Sequence, residues 1–348
     1  MFKRFFGSFS RDVAIDLGTS HTRVYVKDRG MVIDSPSVVA INKRTGQIAA
    51  VGEEAKQMLG KTPPHIIVTR PMIGGVISDY EVTQKMLKYF FDKVHEDGFT
   101  LLARPNVVIS VPLQVTEVET KAVEDVTIAA GSSDVTVVQS LMGAAIGAHM
   151  PVQDPIGNMV VDLGAGKTEA AVISLDGVVT WKSTSVAGDE MNRSIIQYAR
   201  EVFNLLVGEI QAEQIKNRIG SAIDVGEKQE FPMRGRDVVT GLPKEVMITD
   251  GHVREALERS VRSISTLIKT TIEQTPPELV ADIHERGILL TGGGAKLRGI
   301  EQVIAKITDI PVKIADDTQT AVIRGTGFLL DDNHLLQSVR LPSARGLK

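Results

Sequence analysis

The sequence predicts an α/β protein that contains a duplicated domain, and three observations lead to this prediction. Short runs rich in β-branched residues alternate with longer helical patterns along most of the chain, which is typical of α/β folds. Two segments, Val13–Thr22 and Val160–Thr168, repeat one arrangement of apolar strand, aspartate, glycine turn and hydroxyl residues. The length of 348 residues is sufficient for two domains of ordinary size.

Strands are predicted where short apolar runs are bounded by turn residues. In chain order these runs are Val13–Ile15, Arg23–Lys27, Val38–Ile41, Val107–Val111, Val135–Val138, Met159–Asp162, Glu169–Ser174, Arg286–Thr291 and Pro311–Ile314. Helices are predicted where apolar residues recur at helical spacing over longer segments. These segments are Glu81–Val94, Glu117–Ala130, Ala144–His149, Glu190–Phe203, Ala212–Ile219, His252–Gln274 and Leu297–Thr308.

Two further segments complete the organisation of the chain. Met150–Gly157 contains two prolines and a glycine, and it is the predicted hinge between the two halves. Residues 331–348 lack periodicity, and a disordered, mildly basic tail is expected there.

The composition excludes several classes of protein. A formal net charge of −4 gives no reason to expect a nucleic-acid partner. The absence of cysteine excludes disulfides and thiolate metal sites, and it agrees with a reducing cytoplasm. No apolar run approaches the ~18 residues of a membrane span. The composition therefore predicts a soluble globular protein of the cytoplasm.

The two repeated segments have the composition of phosphate-binding loops. A glycine turn lets backbone N–H groups approach phosphate oxygens, and small hydroxyl side chains add donors. An aspartate at the strand end, here Asp16 or Asp162, can hold a divalent cation through water beside those phosphates. Two such loops half a chain apart predict a duplicated domain that closes on one nucleotide from both sides.

Gly166-Lys167-Thr168 resembles the end of a P-loop, but the rest of that motif is missing. The P-loop requires a second glycine five residues before Gly166, and that position is Val161, inside the predicted strand. We therefore reject the P-loop interpretation.

A third glycine cluster follows the strand that ends at Thr291. Gly292, Gly293 and Gly294 form a tight turn before a predicted helix. Glycines at such a turn let a flat base or ribose lie against the backbone.

Two segments are candidates for membrane contact. Phenylalanines cluster in residues 1–11 and, on a helix, would fall within an arc of roughly 100° opposite the basic residues, which suits insertion at an anionic bilayer surface. The alternatives are a disordered tail or a helix that docks on its own domain. The second candidate is the apolar loop 98–105, whose side chains could equally pack down on the protein. The membrane candidates are Phe2, Phe5, Phe6, Phe9, Phe99, Leu101 and Leu102.

Beyond these loops, further motifs make the chain resemble the actin/Hsp70/sugar-kinase superfamily and, within it, the MreB family of bacterial actin homologues. The resemblance covers almost the whole chain. Its motifs are Ile15-Asp16-Leu17-Gly18-Thr19, Ser35-Pro36-Ser37-Val38-Val39-Ala40, Glu53–Gly60, Arg70-Pro71-Met72, Gly208-Glu209 through Lys216, Pro276-Pro277-Glu278-Leu279 and Thr291–Gly299.

The resemblance implies an actin-like (ribonuclease H-like) fold with four subdomains and a central nucleotide cleft. Domain I would comprise 12–149 and about 315–330, with a small subdomain at about 34–74. Domain II would comprise 150–314, with a small subdomain at about 183–243. The implied ligands are ATP or ADP with Mg²⁺.

The resemblance also implies roles for individual residues. Asp16 and Asp162 would flank the Mg²⁺ ion, Glu213 and Lys216 would contact the nucleoside, and Gly292–Gly294 would lie beside it. The remaining nucleotide-binding positions, most of them in the two phosphate loops, are Gly18, Thr19, Ser20, His21, Gly164, Ala165, Gly166, Lys167, Thr168, Gly188 and Glu209.

Members of this family form paired filaments on the inner face of the cell membrane and guide cell-wall synthesis for rod shape. The implied partners are further copies of this chain, an anionic membrane surface and membrane-bound proteins of cell-wall elongation or morphogenesis. The expected location is the cytoplasm, peripheral on the membrane.

The chain departs from the family where the attacking water is positioned. The family usually has Glu-Pro-Met-Ala-Ala-Ala before the second loop, and Ser140 replaces that glutamate while Leu141 replaces the proline. Lys167 replaces the first threonine of the family's Gly-Gly-Gly-Thr-Thr. Losing a positioned acid–base group typically costs ~10²–10⁴ in rate. We hypothesise that the chain binds nucleotide and hydrolyses it very slowly or not at all. The alternative is that Gln139 occupies the place of the missing glutamate and positions the water.

Three other functions make different demands on the sequence. A sugar or acetate kinase needs a catalytic aspartate in a second-substrate pocket, usually on a longer chain, and the sequence offers no obvious candidate. An Hsp70-like chaperone needs a peptide-binding domain, for which there is no room after the nucleotide-binding core. A divergent actin-like scaffold filament that positions an organelle or complex is the main alternative, because of the altered site.

Overall fold

A computed structural model describes residues 12–96 and 104–343. The chain divides into two compact units. The first unit comprises the described residues of Met1–Asp154, Leu175–Gly177 and Thr320–Lys348, and the second comprises Pro155–Ser174 and Val178–Gln319.

The described residues form strands and helices that alternate in the predicted α/β manner. The strands are β1 (Val13–Leu17), β2 (His21–Val26), β3 (Gly30–Pro36), β4 (Val39–Asn42), β5 (Ile48–Val51), β6 (Ile66–Thr69), β7 (Met72–Ile73), β8 (Val76–Ile77), β9 (Asn106–Val111), β10 (Asp134–Gln139), β11 (Asn158–Leu163), β12 (Thr168–Ser174), β13 (Gly177–Thr184), β14 (Leu205–Leu206), β15 (Glu230–Asp237), β16 (Pro243–Thr249), β17 (Ile288–Thr291) and β18 (Val312–Ile314). The helices are α1 (Glu53–Gln57), α2 (Tyr80–Glu96), α3 (Glu117–Ala130), α4 (Ser140–Gly147), α5 (Gly188–Phe203), α6 (Glu209–Ile219), α7 (Asp250–Glu273), α8 (Pro277–Arg286), α9 (Ile300–Thr308), α10 (Ala321–Phe328) and α11 (Asn333–Val339).

The main sheet of the first unit has the strand order β10-β9-β1-β2-β3. β1 runs parallel to β9 and antiparallel to β2, and β9 runs parallel to β10. The carboxyl ends of β1, β9 and β10 therefore share one edge of the sheet, where ligands of open α/β sheets usually bind. β4, β5 and β6 form a separate small sheet in this unit, and β7 pairs with β8.

The main sheet of the second unit repeats this arrangement, with the order β13-β12-β11-β17-β18. β11 runs antiparallel to β12 and parallel to β17, as β1 does with β2 and β9. Every residue of β12 is buried, as expected of a strand covered on both faces. A small antiparallel sheet of β14, β15 and β16 belongs to the same unit. The two main sheets confirm the predicted duplication.

Close helix packing supports the carboxyl edge of the first sheet. A Cβ atom at Gly325 on α10 would overlap the carbonyl oxygen of Gly143 on α4, and one at Gly147 would overlap Ala321 O. Glycine is required at these positions because the two helix backbones approach so closely. This packing fixes α4, which begins at Ser140 directly after β10.

The prediction of a disordered tail is wrong over residues 331–343. Asp332 caps α11 by accepting the Leu335 N–H at 2.9 Å, and Leu335 and Val339 are buried. The Leu341 N–H donates to the Val137 carbonyl at 2.8 Å. Two apolar side chains one turn apart are too few to show periodicity in sequence, and tertiary contacts hold the helix. Residues 344–348 lie outside the described residues.

Several element boundaries also differ from the predictions, including that of the helix predicted over Ala144–His149, which spans Ser140–Gly147, and two of them lie at a glycine. Arg286 ends α8, and Gly287 (φ +91°) separates it from β17, which begins at Ile288. The helix predicted from Leu297 begins at Ile300 instead, after a short 3₁₀ turn over Gly293–Lys296. In both cases a positive-φ glycine, Gly287 or Gly299, marks the true start of the element.

Candidate functional site

The first loop, residues 17–22, leaves the carboxyl end of β1 in a tight turn. The Gly18 N–H donates to the His21 carbonyl at 3.1 Å, and Ser37 Oγ donates to the Gly18 carbonyl at 2.7 Å. A Cβ atom at position 18 would lie 2.7 Å from the His21 carbonyl oxygen, so the turn requires glycine. The predicted glycine turn is therefore present, and a serine from outside the loop holds it.

The hydroxyl side chains of this loop are fixed by neighbours of the first unit. Thr19 Oγ1 accepts the Gly75 N–H at 2.8 Å, and Ser20 Oγ lies 2.9 Å from His21 Nδ1. An accepting hydroxyl retains its proton for donation. Thr19 can therefore donate to an anion while Gly75 holds its oxygen in place.

Asp16 lies between two side chains on neighbouring strands. Ser110 on β9 donates from Oγ to Asp16 Oδ1 at 3.2 Å, and Arg23 Nη1 on β2 lies 3.6 Å from Asp16 Oδ2. Burial raises the pKa of Asp16, and this effect outweighs the lowering by Arg23 and Ser110. Arg23 also contacts Asp34 on β3, with Nε 3.1 Å from Oδ1.

The surroundings of Asp16 do not fit a divalent cation. Its carboxylate already faces the Arg23 guanidinium, which lies 3.6 Å away on a side chain that is only 10% exposed. A metal ion at the same carboxylate would be repelled by this fixed positive charge. Among residues 12–96 and 104–343, no group of three or more His, Asp or Glu could hold a metal ion.

The second loop, residues 164–167, is anchored to the start of α5. The Gly164 N–H donates to the Lys167 carbonyl at 3.0 Å, which closes the turn as in the first loop. The Gly188 N–H donates to the Gly164 carbonyl at 3.0 Å, and the Asp189 N–H donates to the Ala165 carbonyl at 2.8 Å. The first turn of α5 therefore fixes the conformation of the loop.

Thr168 has a different place from the one expected of a phosphate-binding side chain. It is fully buried, and its Oγ1 donates to the Val186 carbonyl at 2.8 Å. The hydroxyl of Thr168 thus joins the end of the second loop to the segment that leads into α5.

Lys216 connects α6 to the second loop. Its Nζ donates to the Gly188 carbonyl at 2.8 Å. A Cβ atom at Gly188 would lie 3.3 Å from Ala165 Cα and 3.4 Å from Lys216 Nζ. Glu209 and Glu213 precede Lys216 at positions that share one face of α6.

The third glycine cluster lies against the strand end that carries Asp162. Thr291 Oγ1 donates to Asp162 Oδ1 at 3.2 Å. A Cβ atom at Gly292 (φ +82°) would lie 2.5 Å from both Asp162 Oδ1 and the Leu163 carbonyl oxygen. At Gly294 a Cβ atom would lie 2.8 Å from Leu163 Cβ. Only glycine allows these two chain segments to approach so closely.

In the first unit the structure brings some of the predicted residues to one edge of the main sheet. Gln139 ends β10 and Ser140 begins α4, at the same carboxyl edge as Asp16.

The membrane candidates Phe2, Phe5, Phe6, Phe9, Phe99, Leu101 and Leu102 lie outside the described residues. Among the helices that are described, none is both long and apolar enough to cross a membrane.

Sequence reasoning missed three side chains that shape the two sites. Ser110 and Thr291 donate to the aspartates from neighbouring parallel strands. No local motif marks Ser110, and the motif that begins at Thr291 pointed to its glycines rather than to this hydroxyl. Arg23 carried a signal, because a charged residue begins the predicted strand directly after the first loop.

Comparisons with known proteins agree on one family. The MreB/Mbl protein family matches residues 10–338. The cell shape-determining protein MreB of Escherichia coli K12 is 45% identical over 335 residues, which cover 95% of this chain and 96% of that protein. The cell shape-determining protein Mbl of Bacillus subtilis 168 is 42% identical over 333 residues, with coverage of 96% and 99%.

Solved structures show the same similarity in three dimensions. MreB5 of Spiroplasma citri bound to ADP has a TM-score of 0.89 at 34% identity, covering 93% of this chain and 97% of that one. A MamK double helical filament has a TM-score of 0.78 at 22% identity, covering 92% and 99%. The fold is therefore actin-like.

Proposed function

Because the chain belongs to the MreB/Mbl family, we propose that it is a nucleotide-binding, membrane-associated filament protein that determines or maintains rod shape by organising cell-wall synthesis. The observation that carries the proposal is the arrangement around the second loop. The predicted glycine turn, Lys216 and Gly292–Gly294 lie around the carboxyl end of β11. The family relationship supports the cellular role.

The nucleotide is ATP or ADP. The similar MreB5 protein of Spiroplasma citri has been solved with ADP and with AMPPNP. In this chain, backbone N–H groups of both loops and the Thr19 hydroxyl would bind phosphate, and α6 would contact the nucleoside through Glu213 and Lys216. Glu209 and Gly292–Gly294 would complete the nucleoside side.

Of the two aspartates that the resemblance assigns to Mg²⁺, Asp162 is the one that would hold the ion, through water beside the phosphates. The charges around Asp16 argue against such a role there. Mg²⁺, when bound, supplies positive charge to the phosphate oxygens.

Assembly in this proposal is self-association into filaments, most simply paired protofilaments. The MamK structure of the same fold is a double helical filament. Membrane contact would come from the phenylalanines of residues 1–11 and the apolar side chains of loop 98–105, on the inner face of the cell membrane. Membrane-bound proteins of cell-wall elongation or morphogenesis would be the further partners.

Hydrolysis in this proposal is slow or absent. Ser140 and Lys167 stand where the family has the glutamate and threonine that position the attacking water. The same two replacements favour the second candidate function, a divergent scaffold filament with a role outside wall synthesis.

Sedimentation with vesicles of anionic lipid, with phosphate release followed in the same sample, tests the proposal. We expect ATP-dependent pelleting of protein with the vesicles and little phosphate release. Failure to pellet with ATP, with or without lipid, contradicts the filament proposal. Replacement of the chromosomal gene by a depletable copy separates the two candidates, since only the wall-organising filament should be needed for rod shape.

A further inference from the structure

Three charged side chains form a row across the first sheet beside the first loop. Asp16 on β1 is the cross-strand partner of Arg23 on β2, and Arg23 is the partner of Asp34 on β3. Ser110 continues the row on the other side of Asp16. Residues that lie directly opposite each other on adjacent strands share a face of the sheet, so their side chains are neighbours.

Arg23 lies between two carboxylates in this row. Its Nη1 lies 3.6 Å from Asp16 Oδ2 and its Nε lies 3.1 Å from Asp34 Oδ1. The side chains of Arg23 and Asp16 are only 10% and 15% exposed, so water screens the pair weakly. A guanidinium does not lose its proton in proteins. The positive charge beside Asp16 is therefore permanent.

This charge stands where the resemblance places a divalent cation. We infer that Arg23, rather than Mg²⁺, is the counter-charge of Asp16, and that this chain binds adenine nucleotides with an affinity nearly independent of divalent cations. The inference rests on the proposed nucleotide binding and concerns what that binding requires. A cation that cannot use Asp16 gains less from the protein when the nucleotide binds.

The second unit supplies positive charge of its own. Lys167 belongs to the second loop, at a position where the family has threonine, and Lys216 reaches the Gly188 carbonyl at the base of that loop. Ammonium groups stabilise phosphate oxygens as point charges. Lys167 would therefore provide part of the compensation that a metal ion gives to bound phosphates, while Lys216 stays on the nucleoside side of the second unit.

Equilibrium binding of ATP and ADP, measured with Mg²⁺ and again with excess EDTA, tests the inference. For the wild-type chain we expect the dissociation constants in the two conditions to differ by less than about threefold. Arg23→Gln leaves Asp16 and Asp34 without their shared cation, and its affinity should fall by more than about tenfold when Mg²⁺ is removed. Arg23→Lys keeps the charge and should behave like the wild type.

Arg44→Gln is the matched control, because it removes the same charge from an exposed position of the first unit. Circular dichroism and thermal melts establish that each variant is folded. If Arg23→Gln does not fold, the affinities of the wild type and of Arg23→Lys with Mg²⁺ and with EDTA still test the inference. A wild-type affinity that falls more than about tenfold in EDTA overturns the inference but leaves the proposed function intact. No binding in either condition overturns the proposed function itself.

Discussion

Lys216 donates from Nζ to the carbonyl oxygen of Gly188 at 2.8 Å, across 28 positions of sequence. This bond joins α6, which carries the residues expected at the nucleoside, to the first turn of α5, which anchors the second loop. The phosphate and nucleoside parts of the second unit are thus mechanically connected. A change at Gly188 should disturb both.

Gly188→Val should abolish nucleotide binding. The added side chain would press on Ala165, the Gly164 carbonyl and Lys216, all of which lie 3.3–3.4 Å from a Cβ at this position. The rise in melting temperature caused by saturating ATP, which reports ligand affinity, should disappear. Gly208→Val is the control, since a Cβ there meets nothing within 4 Å. An equal ATP-induced shift in the Gly188 variant and the wild type would show that the loop does not bind nucleotide.

Restoring the family residues should restore hydrolysis. The double variant Ser140→Glu with Lys167→Thr should release phosphate from ATP about 10²-fold faster than the wild type, because a positioned acid–base group is regained. Single-turnover phosphate release measures the change. If the wild type already turns over as fast as the double variant, the altered residues do not limit the reaction. Gln139→Ala then tests whether Gln139 positions the water, and loss of release would favour that alternative.

Asp16→Asn should stabilise the ligand-free protein at neutral pH. Burial raises the pKa of Asp16 in the folded state, outweighing the opposing effect of Arg23, so the folded protein holds this proton more tightly than the unfolded chain does. As the pH rises from the unfolded pKa of about 3.9 through the raised folded value, the fold loses stability, and above both values the full cost remains.

Urea denaturation of the wild type and Asp16→Asn at several pH values measures this difference. The variant should have the higher free energy of unfolding at pH 7, and the advantage should shrink as the pH falls through the folded pKa. The control is Asp92→Asn, which makes the same substitution at an exposed position and shows how much it alone changes the free energy of unfolding. A variant that is less stable than the wild type at pH 7 would mean that the contact with Arg23 dominates.

Replacing Phe2, Phe5, Phe6 and Phe9 by serine should weaken binding to anionic vesicles by about tenfold or more, since each buried aromatic side chain contributes to partitioning. Vesicle flotation without nucleotide separates membrane contact from assembly. Phe328→Ser, which removes a half-exposed phenylalanine of α10, is the control. Unchanged flotation of the quadruple variant would direct attention to Phe99, Leu101 and Leu102.

The sequence predicted the elements that carry strong local patterns. The strands before Asp16 and Asp162 and the glycine turns after them were visible because apolar runs and glycines mark them directly. The small sheet of β14, β15 and β16 was missed, since in β15 exposed Arg234 and Arg236 alternate with partly buried residues and hide the apolar face.

Side-chain roles were harder to predict than backbone elements. Thr168 stands in the motif like a phosphate ligand, yet strand pairing directs its hydroxyl to Val186. The role of Arg23 depends on the register of three strands, which places Asp16 and Asp34 on either side of it. Such pairings are set by tertiary structure, and no spacing along the chain reports them.

The most direct test of the central claim is a calorimetric titration of the full-length chain with ATP and with ADP. The structure and the family relationship predict saturable binding of both nucleotides at one site per chain, retained in Gly208→Val and lost in Gly188→Val. The absence of saturable binding by the folded wild-type protein, with or without Mg²⁺, would contradict the claim that these loops form a nucleotide site.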